Sequence, residues 1–287
     1  MIDKQLRAFA WFRPPLTRAT AGLAHIFMPL LPKCIDKTKI DYRLELIGGI
    51  RHHIFEPKEK TSNKIIYYVH GGGFVFNMYT VHFKLIQEYA VGLGVTVYAV
   101  DYSLLPQHGF PTQVNEVCAA LAELRAKSQE LIMMGDSAGG SIILDAYLQA
   151  KKKGIDIKSL VLIYPVVSSA MQTQSMREFE SSPLWNSKLN KKMWEWYIGD
   201  KEYKDLLESV AELELELEDL YIEVCEVDCL RDEGIELFEG LSKVKNRRLY
   251  YNKGCYHGFE LCYWSKAARA AVRERLNFLS SIINKEK

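Results

Sequence analysis

Short apolar runs alternate with amphipathic helical patterns along most of the chain after residue 40. Apolar runs of strand length predict buried strands, and apolar positions that recur every three or four residues predict helices. The predicted strands are 41–47, 50–55, 65–69, 95–100, 131–135, 159–164, 220–227 and 248–251. The predicted helices are 81–93, 112–126, 138–153, 232–244 and a C-terminal helix ending near 283. This alternation predicts an α/β fold with a mostly parallel, eight-stranded, doubly wound sheet.

Residues 1–38 and 166–209 interrupt this alternation. The first stretch has short apolar pieces broken by prolines, and the second has polar loop sequence followed by a helical pattern with large aromatic residues. We expect both stretches to form a helical cap over the open end of the sheet. No linker or repeat divides the chain, so residues 1–287 are predicted to form a single domain. The acidic Leu-Glu alternation at 211–218 fits either a solvated strand edge or a helix surface.

Composition narrows the classes of partner. The 287 residues include 48% hydrophobic residues, which suffices for a packed core, and the net charge is +1. Because acidic and basic residues are interspersed, the whole chain lacks the signature of a nucleic acid or anionic membrane partner. The apolar stretch 21–31 is short and contains His25 and Pro29, so we expect no stable membrane anchor. We expect a cytoplasmic protein with six reduced cysteines, and a homodimer is left open.

A Gly-x-Ser-x-Gly motif, Gly135-Asp-Ser-Ala-Gly139, joins a predicted strand to a predicted helix. A serine in such a tight turn is held in strained backbone geometry with its hydroxyl above the sheet, and small neighbours let strand and helix approach. The motif alone is weak because it arises often by chance, and a serine at this place can simply cap a helix. Its interpretation therefore depends on partner residues elsewhere.

Two such partners follow other predicted strands. A serine hydroxyl needs a base within hydrogen-bonding reach, and that base needs a group that fixes its tautomer. In a doubly wound sheet these groups lie on loops at the carboxyl ends of strands, where Ser137, Asp228 and His257 are all expected. The order Ser, Asp, His is that of an α/β-hydrolase. Asp232 and Glu233 compete with Asp228, but they more plausibly stabilise the N-terminus of the next helix.

A glycine-rich loop supplies the remaining chemistry. His70-Gly71-Gly72-Gly73 follows the predicted strand 65–69, and residues without side chains can present backbone N–H groups to a ligand. The amide of Ala138, beside Ser137 and at a helix N-terminus, adds a further donor. We predict an oxyanion hole formed by Gly71, Gly72, Gly73 and Ala138.

Five ordered motifs carry a family resemblance that runs from about residue 40 to the C-terminus. The chain resembles the hormone-sensitive-lipase-like esterases, including bacterial acetyl esterases. The resemblance implies an α/β-hydrolase fold and a serine carboxylesterase acting on small esters, with Ser137 as nucleophile, His257 as base and then acid, and Asp228 as orienting carboxylate. It also implies that no metal or organic cofactor takes part. The motifs are His70-Gly-Gly-Gly-Phe74, Asp101-Tyr-Ser-Leu-Leu-Pro106, Gly135-Asp-Ser-Ala-Gly-Gly140, Asp228-Cys-Leu-Arg-Asp-Glu-Gly234 and His257-Gly-Phe259.

Three features depart from the family pattern. Ser103 and Gln107 stand where the family usually has Arg and Glu, which puts the geometry of that loop in doubt. Cys229 replaces the usual proline after the aspartate, which should loosen that turn. A proline pair common before the strand at 220 is replaced by the acidic Leu-Glu repeat. None of these departures falls on a predicted catalytic position.

Several other residues have plain explanations. His52 and His53 point to opposite faces of a predicted strand, so they make a poor metal pair and are expected to be exposed. The cap aromatics either line an acyl or alcohol pocket or pack as ordinary apolar residues; they are Trp11, Phe12, Trp194 and Trp196.

Two other functions remain open from the sequence. Amide hydrolysis or deacetylation would use the same triad, and no residue separates it from ester hydrolysis. A hydrolase fold can also lose catalysis and keep its pocket as a small-molecule receptor. The receptor hypothesis predicts a missing triad member, and all three are present.

Overall fold

The computed structural model describes residues 1–128, 130–211 and 216–285. The strands in these ranges are β1 (Ile40–Ile47), β2 (Ile50–Pro57), β3 (Ile65–Val69), β4 (Thr96–Val100), β5 (Leu131–Asp136), β6 (Ser159–Ile163), β7 (Asp219–Val227) and β8 (Asn246–Tyr256). They form one sheet in the order β1-β2-β4-β3-β5-β6-β7-β8. The pairs β1 with β2 and β2 with β4 are antiparallel, and the other neighbours are parallel. The predicted mostly parallel, eight-stranded sheet is therefore confirmed.

Helices cover both faces of this sheet. The helices of the described ranges are α1 (Arg18–Phe27), α2 (Thr80–Leu93), α3 (Thr112–Lys127), α4 (Ala138–Lys152), α5 (Gln174–Glu178), α6 (Ser187–Ile198), α7 (Leu206–Ala211), α8 (Arg231–Gly240) and α9 (Lys266–Ile283). Short 3-10 turns occur at Lys4–Phe9, Met28–Leu30 and Phe259–Cys262. Alternate residues of β3 enter two apolar layers, because Tyr67 packs with α3 and α4 and Tyr68 packs with α2 and α9.

The expectation that His52 and His53 are exposed is wrong. Both side chains are buried, at 0% and 6% exposure. They do point to opposite faces, but β2 lies between β1 and β4, and both of its faces are covered. Each ring has a tyrosine partner: His53 Nδ1 lies 2.6 Å from the Tyr42 hydroxyl, and His52 Nε2 lies 3.3 Å from the Tyr67 hydroxyl. Strand alternation predicts the face of a side chain, and burial depends on what covers that face.

Other boundaries differ modestly from the predictions. β8 begins two residues before the predicted strand and runs on to Tyr256, and α8 ends at Gly240 rather than near 244. All six cysteines lie within the described residues, and none of them forms a disulfide. Of the acidic Leu-Glu alternation at 211–218, residues 212–215 lie outside the described residues.

The loops that follow the parallel strands meet at one edge of the sheet, as expected for a doubly wound fold. Among the residues described, no helix combines the length and apolar character needed to cross a bilayer.

Candidate active site

Ser137 occupies a sharp turn between β5 and α4. Its backbone has φ 52° and ψ −120°, a conformation that residues other than glycine rarely adopt. The Ser137 amide donates to the Ile163 carbonyl at 2.8 Å, which ties the turn to the neighbouring strand β6. A Cβ atom on Gly139 would overlap the Val69 carbonyl oxygen, so only glycine allows α4 to approach β3 this closely. The sequence thus holds Ser137 in a strained position at the sheet edge.

The structure brings the three predicted triad residues together. Ser137 Oγ lies 2.8 Å from His257 Nε2, and His257 Nδ1 lies 2.8 Å from Asp228 Oδ2. Asp228 directly follows β7, and His257 directly follows β8. The second carboxylate oxygen of Asp228 accepts a hydrogen bond from the Leu230 amide at 3.0 Å. This bond spans the turn that contains Cys229. Asp228 is fully buried, so its carboxylate is shielded from solvent.

The competing carboxylates bond elsewhere. Both lie in the first turn of α8, as predicted. Asp232 accepts from the Ser175 amide at 2.7 Å and pairs with Arg231, also at 2.7 Å. Glu233 accepts from the Val167 amide at 2.6 Å, and its complete burial raises its pKa well above the usual range. Both carboxylates therefore anchor segments of the chain that lie between β6 and α6.

The glycine loop lies against Ser137. Gly72 and Gly73 have positive φ values of 115° and 60° and line the same cavity as Ser137. Gly71 packs behind them, where an added Cβ would come within 2.8 Å of the Asp136 carbonyl oxygen and 3.0 Å of Ser137 Cβ. The loop folds back on itself, because the Val75 and Phe76 amides both donate to the Gly72 carbonyl at 3.0 Å. All three glycines are thus required by the backbone path.

Two aromatic rings fix the start of this loop. The His70 ring stacks on Tyr102 with centroids 4.3 Å apart, and the Tyr102 hydroxyl donates to the His70 carbonyl at 2.8 Å. Burial, together with the nearby His82, lowers the pKa of His70 to about 4. His70 is therefore a neutral wall of the loop at physiological pH.

The loop after β4, which carries Ser103 and Gln107, is held by hydrogen bonds to side chains of α3. The Ser103 amide and hydroxyl donate to the Glu116 carboxylate at 2.8 and 2.6 Å. The Gln113 side chain donates to the Ser103 carbonyl at 2.9 Å. Asp101, at the start of the loop, pairs with Arg51. These contacts anchor the loop in the absence of the usual arginine and glutamate.

A cavity of about 370 Å³ opens above Ser137. Residues from 1–38 and from 166–209 both contribute to its walls, including Phe12, Met28 and Trp185. Of the four aromatics considered from sequence, Phe12 lines this cavity. Trp194, on α6, packs against Phe74 and Tyr197, and Trp11 is 72% exposed.

Trp185 was missed by the sequence reasoning. Its ring centroid lies 6.2 Å from that of His257, and an added Cβ on Gly73 would come within 2.5 Å of its ring. Trp185 comes from the irregular loop before α6, where no periodic pattern marks it.

Charged groups lie buried beside the cavity. Arg275 is 1% exposed and binds Glu223 through Nε at 2.7 Å and Nη2 at 2.6 Å. It also binds Glu260, which accepts from the Tyr164 hydroxyl at 2.9 Å. Arg275 could have been noticed from sequence, because it falls on the apolar stripe of α9, three residues after Val272 and four before Leu279. The network supports the wall of the cavity at Tyr164.

Asp136, next to Ser137, is also buried and lines the cavity. Its carboxylate accepts from the Tyr68 hydroxyl at 2.5 Å and lies 3.4 Å from His82 Nε2. Burial raises its pKa, but His82 and the Tyr68 bond outweigh that effect and lower the pKa of Asp136 to about 2. Asp136 thus remains a carboxylate beside the Ser137 turn.

Comparison with known proteins identifies relatives in sequence and in structure. A family model described as the alpha/beta hydrolase fold matches residues 66–261. The chain is 32% identical over 230 residues to a protein of Acanthamoeba polyphaga mimivirus named as an alpha/beta hydrolase, covering 72% of this chain and 65% of that protein. It is 31% identical over 222 residues to the ethyl acetate hydrolase of Pseudomonas putida, covering 71% of this chain and 68% of that protein. The chain therefore spans slightly less than two thirds of the viral relative.

A solved structure named Bacterial Heroin Esterase superimposes with a TM-score of 0.85 at 23% identity, covering 99% of this chain and 98% of that chain. At this identity the likeness concerns the fold. Because the alignment covers 99% of this chain, it includes most of residues 1–38 and 166–209 as well as the sheet.

Proposed function

This chain belongs to the α/β-hydrolase fold family, and we propose that it is a serine carboxylesterase that hydrolyses small carboxylic esters through an acyl-enzyme intermediate. One observation carries the proposal: Ser137 Oγ, His257 and Asp228 form a chain of two 2.8 Å contacts at the floor of a cavity. A hydroxyl bonded to an imidazole, itself oriented by a buried carboxylate, is the arrangement that generates an alkoxide nucleophile.

In the acylation step, Ser137 Oγ attacks the ester carbonyl carbon as its proton moves to His257 Nε2. The carbonyl π electrons move onto oxygen and give a tetrahedral intermediate. Asp228 accepts a hydrogen bond from the His257 Nδ1–H group and stabilises the imidazolium. When the carbon to alkoxy bond breaks, His257 returns its proton to the leaving alcohol, and Ser137 remains acylated. A water molecule then attacks the carbonyl carbon of the acyl-enzyme while His257 takes its proton as base. His257 next acts as acid and protonates Ser137 Oγ as the bond to the acyl group breaks, and the carboxylic acid is released.

Backbone amides of the glycine loop, with the Ala138 amide, are proposed to bind the negative oxygen of the intermediate. Support comes from the placement of Gly72 and Gly73 along the cavity beside Ser137, with Gly71 immediately behind. Ala138 starts α4, so its amide lies at a helix N-terminus, where negative charge is favoured. One such donor is worth about 3 kcal/mol of transition-state stabilisation.

We propose a preference for short, acetyl-like acyl groups, with residues 1–38 and 166–209 acting as a cap. The cavity of about 370 Å³ and the Trp185 ring beside His257 support a restricted site. The name of the Pseudomonas putida relative, ethyl acetate hydrolase, points the same way. A small, mostly apolar cavity favours an uncharged ester over a charged substrate.

The test is hydrolysis of p-nitrophenyl acetate by Ser137→Ala and by a matched serine variant, Ser141→Ala. Ser141 is also buried and lies one turn along α4, so its replacement removes a hydroxyl without touching the triad. We expect Ser137→Ala to lose turnover by about 10⁴-fold or more with the fold retained, and Ser141→Ala to keep turnover within a few-fold. Unchanged turnover in Ser137→Ala would refute the proposal. So would labelling of a different serine by an organophosphate, read by mass spectrometry.

The substrate class is tested with p-nitrophenyl esters of increasing chain length, alongside matched amides. We expect the highest kcat/KM on acetyl or propionyl esters, and much slower turnover of the amides. Trp185→Ala should shift the optimum toward longer acyl chains. A wild-type optimum at long chains would reject the short-acyl preference, and faster amide turnover would assign the triad to an amidase.

A further inference from the structure

Helix α1 carries its apolar stripe on the outside. Leu23, Ile26 and Phe27 are 55%, 62% and 59% exposed, and the stripe continues to Leu30, which is 74% exposed. Their spacing of three and four residues puts them on one face of the helix. The opposite face is turned inward, because Ala21 is fully buried and His25 Nε2 lies 2.7 Å from the Val75 carbonyl oxygen. These four residues are called the N-terminal apolar surface.

This surface adjoins the mouth of the cavity that leads to Ser137. Met28 and Leu31, which follow α1 in the chain, line that cavity together with Phe12 and Pro14. An exposed apolar surface that continues into the entrance of a cavity is typical of a site that binds an apolar partner.

The net charge of residues 1–35 indicates which kind of partner binds the N-terminal apolar surface. Although the whole chain has a net charge of only +1, residues 1–35 contain one acidic residue, Asp3, and five basic ones. The basic residues are Lys4, Arg7, Arg13, Arg18 and Lys33. Arg13 and Arg18 are exposed on either side of the turn that begins α1. Apolar side chains on one helix face flanked by basic residues are the features that bind an anionic lipid surface.

We propose that the N-terminal apolar surface adsorbs the protein onto anionic lipid, with the cavity mouth toward the lipid. A second copy of this chain fits less well. In a two-fold symmetric dimer the surface would meet its own copy, so the excess positive charge of residues 1–35 would face itself. An anionic headgroup layer neutralises that charge, and the exposed side chains of α1 enter the boundary between headgroups and acyl chains.

The experiment is flotation of the full-length chain with vesicles of phosphatidylcholine, with or without phosphatidylglycerol. We expect binding that requires phosphatidylglycerol and weakens as salt is added. Ile26→Ser combined with Phe27→Ser should lower the partition coefficient at least about tenfold, since two large apolar groups no longer enter the lipid. Arg18→Glu should lower it by about tenfold or more on phosphatidylglycerol vesicles.

Tyr251→Ser on β8 is the matched control, because it removes a side chain that is 44% exposed and lies outside this surface. Its partition coefficient should equal that of the wild type. Far-UV circular dichroism and the urea unfolding midpoint should be unchanged in all variants, which reports that they are folded. Flotation requires no turnover, so its result stands apart from that of the proposed esterase activity.

Failure of the wild type to float with either vesicle would overturn the proposal. Equal flotation of the Ile26→Ser, Phe27→Ser variant and the wild type would also overturn it. A concentration-dependent dimer that this double variant abolishes, without vesicle binding, would instead assign the surface to a second copy.

Discussion

Tyr164 stands edge to face against the His257 imidazole, with ring centroids 4.7 Å apart and ring planes inclined by 63°. Tyr164 adopts φ 35°, which is strained for a residue with a side chain. Its amide donates to the Glu223 carbonyl at 2.7 Å and its hydroxyl donates to Glu260 at 2.9 Å. Bonds at both ends of the residue thus hold the ring against the histidine that links Asp228 to Ser137.

Replacing Tyr164 tests whether this ring positions the imidazole. In Tyr164→Leu the ring is lost, so His257 can rotate away from Ser137, and we expect kcat/KM to fall about tenfold, or about 1.4 kcal/mol. Tyr164→Phe keeps the ring and removes the bond to Glu260, so kcat/KM should change less than in Tyr164→Leu. Steady-state kinetics with p-nitrophenyl acetate provides the measurement. Tyr98→Leu, a buried tyrosine on β4, is the control for lost packing alone.

Wild-type kcat/KM in Tyr164→Leu would remove any positioning role for the ring. An equal decrease in Tyr98→Leu would attribute the effect to general destabilisation.

Gly73→Ala should close the site. An added Cβ would lie 2.5 Å from the Trp185 ring, and the positive φ of 60° disfavours any side chain by about 1–2 kcal/mol. We expect kcat/KM to fall at least about tenfold, because Trp185 is displaced and the loop amides shift. Combining it with Trp185→Leu should restore part of the loss.

Gly22→Ala is the matched control for Gly73→Ala. Gly22 lies within α1 with open space where a Cβ would stand, so alanine should leave kcat/KM unchanged and raise stability by up to about 1 kcal/mol. If Gly73→Ala retains wild-type kinetics, the close approach of this loop to Trp185 has no catalytic consequence.

The sequence predicts the parts of this site that depend on local rules. Ser137, Asp228 and His257 each follow a strand directly, and parallel strands end at one edge of a sheet, so their convergence follows from topology. Gly72 and Gly73, after β3, have positive φ values. Glycine is the usual residue at such positions, so a run of glycines in the sequence already predicts an unusual backbone path.

Features that depend on contacts between distant parts of the chain are harder to predict from the sequence. Trp185 becomes a wall only because its loop lies across Gly73, more than a hundred residues earlier. Arg275 is buried because Glu223, 52 residues before it, lies within bonding distance. His53 is buried against Phe83 of α2, and His52 is buried against Tyr67 of β3. In each case the decisive neighbour lies in another element.

Buried histidines should make stability fall in mild acid. Burial lowers the pKa of His70 to about 4, and it also lowers the pKa values of His52 and His53. Unfolded histidines titrate near 6.5, so between about 4 and 6.5 the unfolded chain binds protons at His70 and His53 that the native protein does not. The free energy of unfolding should therefore decrease as pH falls through this window, by up to about 1.4 kcal/mol per pH unit for each histidine. Urea unfolding from pH 7 to 5 measures it.

His53→Gln should reduce that slope, because the variant lacks one of these protons while its amide can still bond the Tyr42 hydroxyl. His108→Gln, at an exposed position, serves as the comparison and should remove less of the slope. A slope in His53→Gln equal to that of the wild type would exclude His53 as a source of the acid sensitivity.

Glu233 should show the opposite dependence on pH. Its carboxyl is fully buried, and its raised pKa means that the native protein holds a proton which the unfolded chain releases above about 4.5. Stability from this group is therefore present in acid and is lost as pH rises.

Glu233→Gln keeps an oxygen that can accept from the Val167 and Ser168 amides and removes the charge. It should therefore be more stable than the wild type at pH 8 and equally stable at pH 5. Glu233→Ala leaves those buried amides unpaired and should cost about 1–3 kcal/mol at both pH values. Urea unfolding at the two pH values distinguishes these cases, with the exposed Glu239→Gln as the surface control. A glutamine variant less stable than the wild type at pH 8 would mean that Glu233 acts in the native protein as a carboxylate.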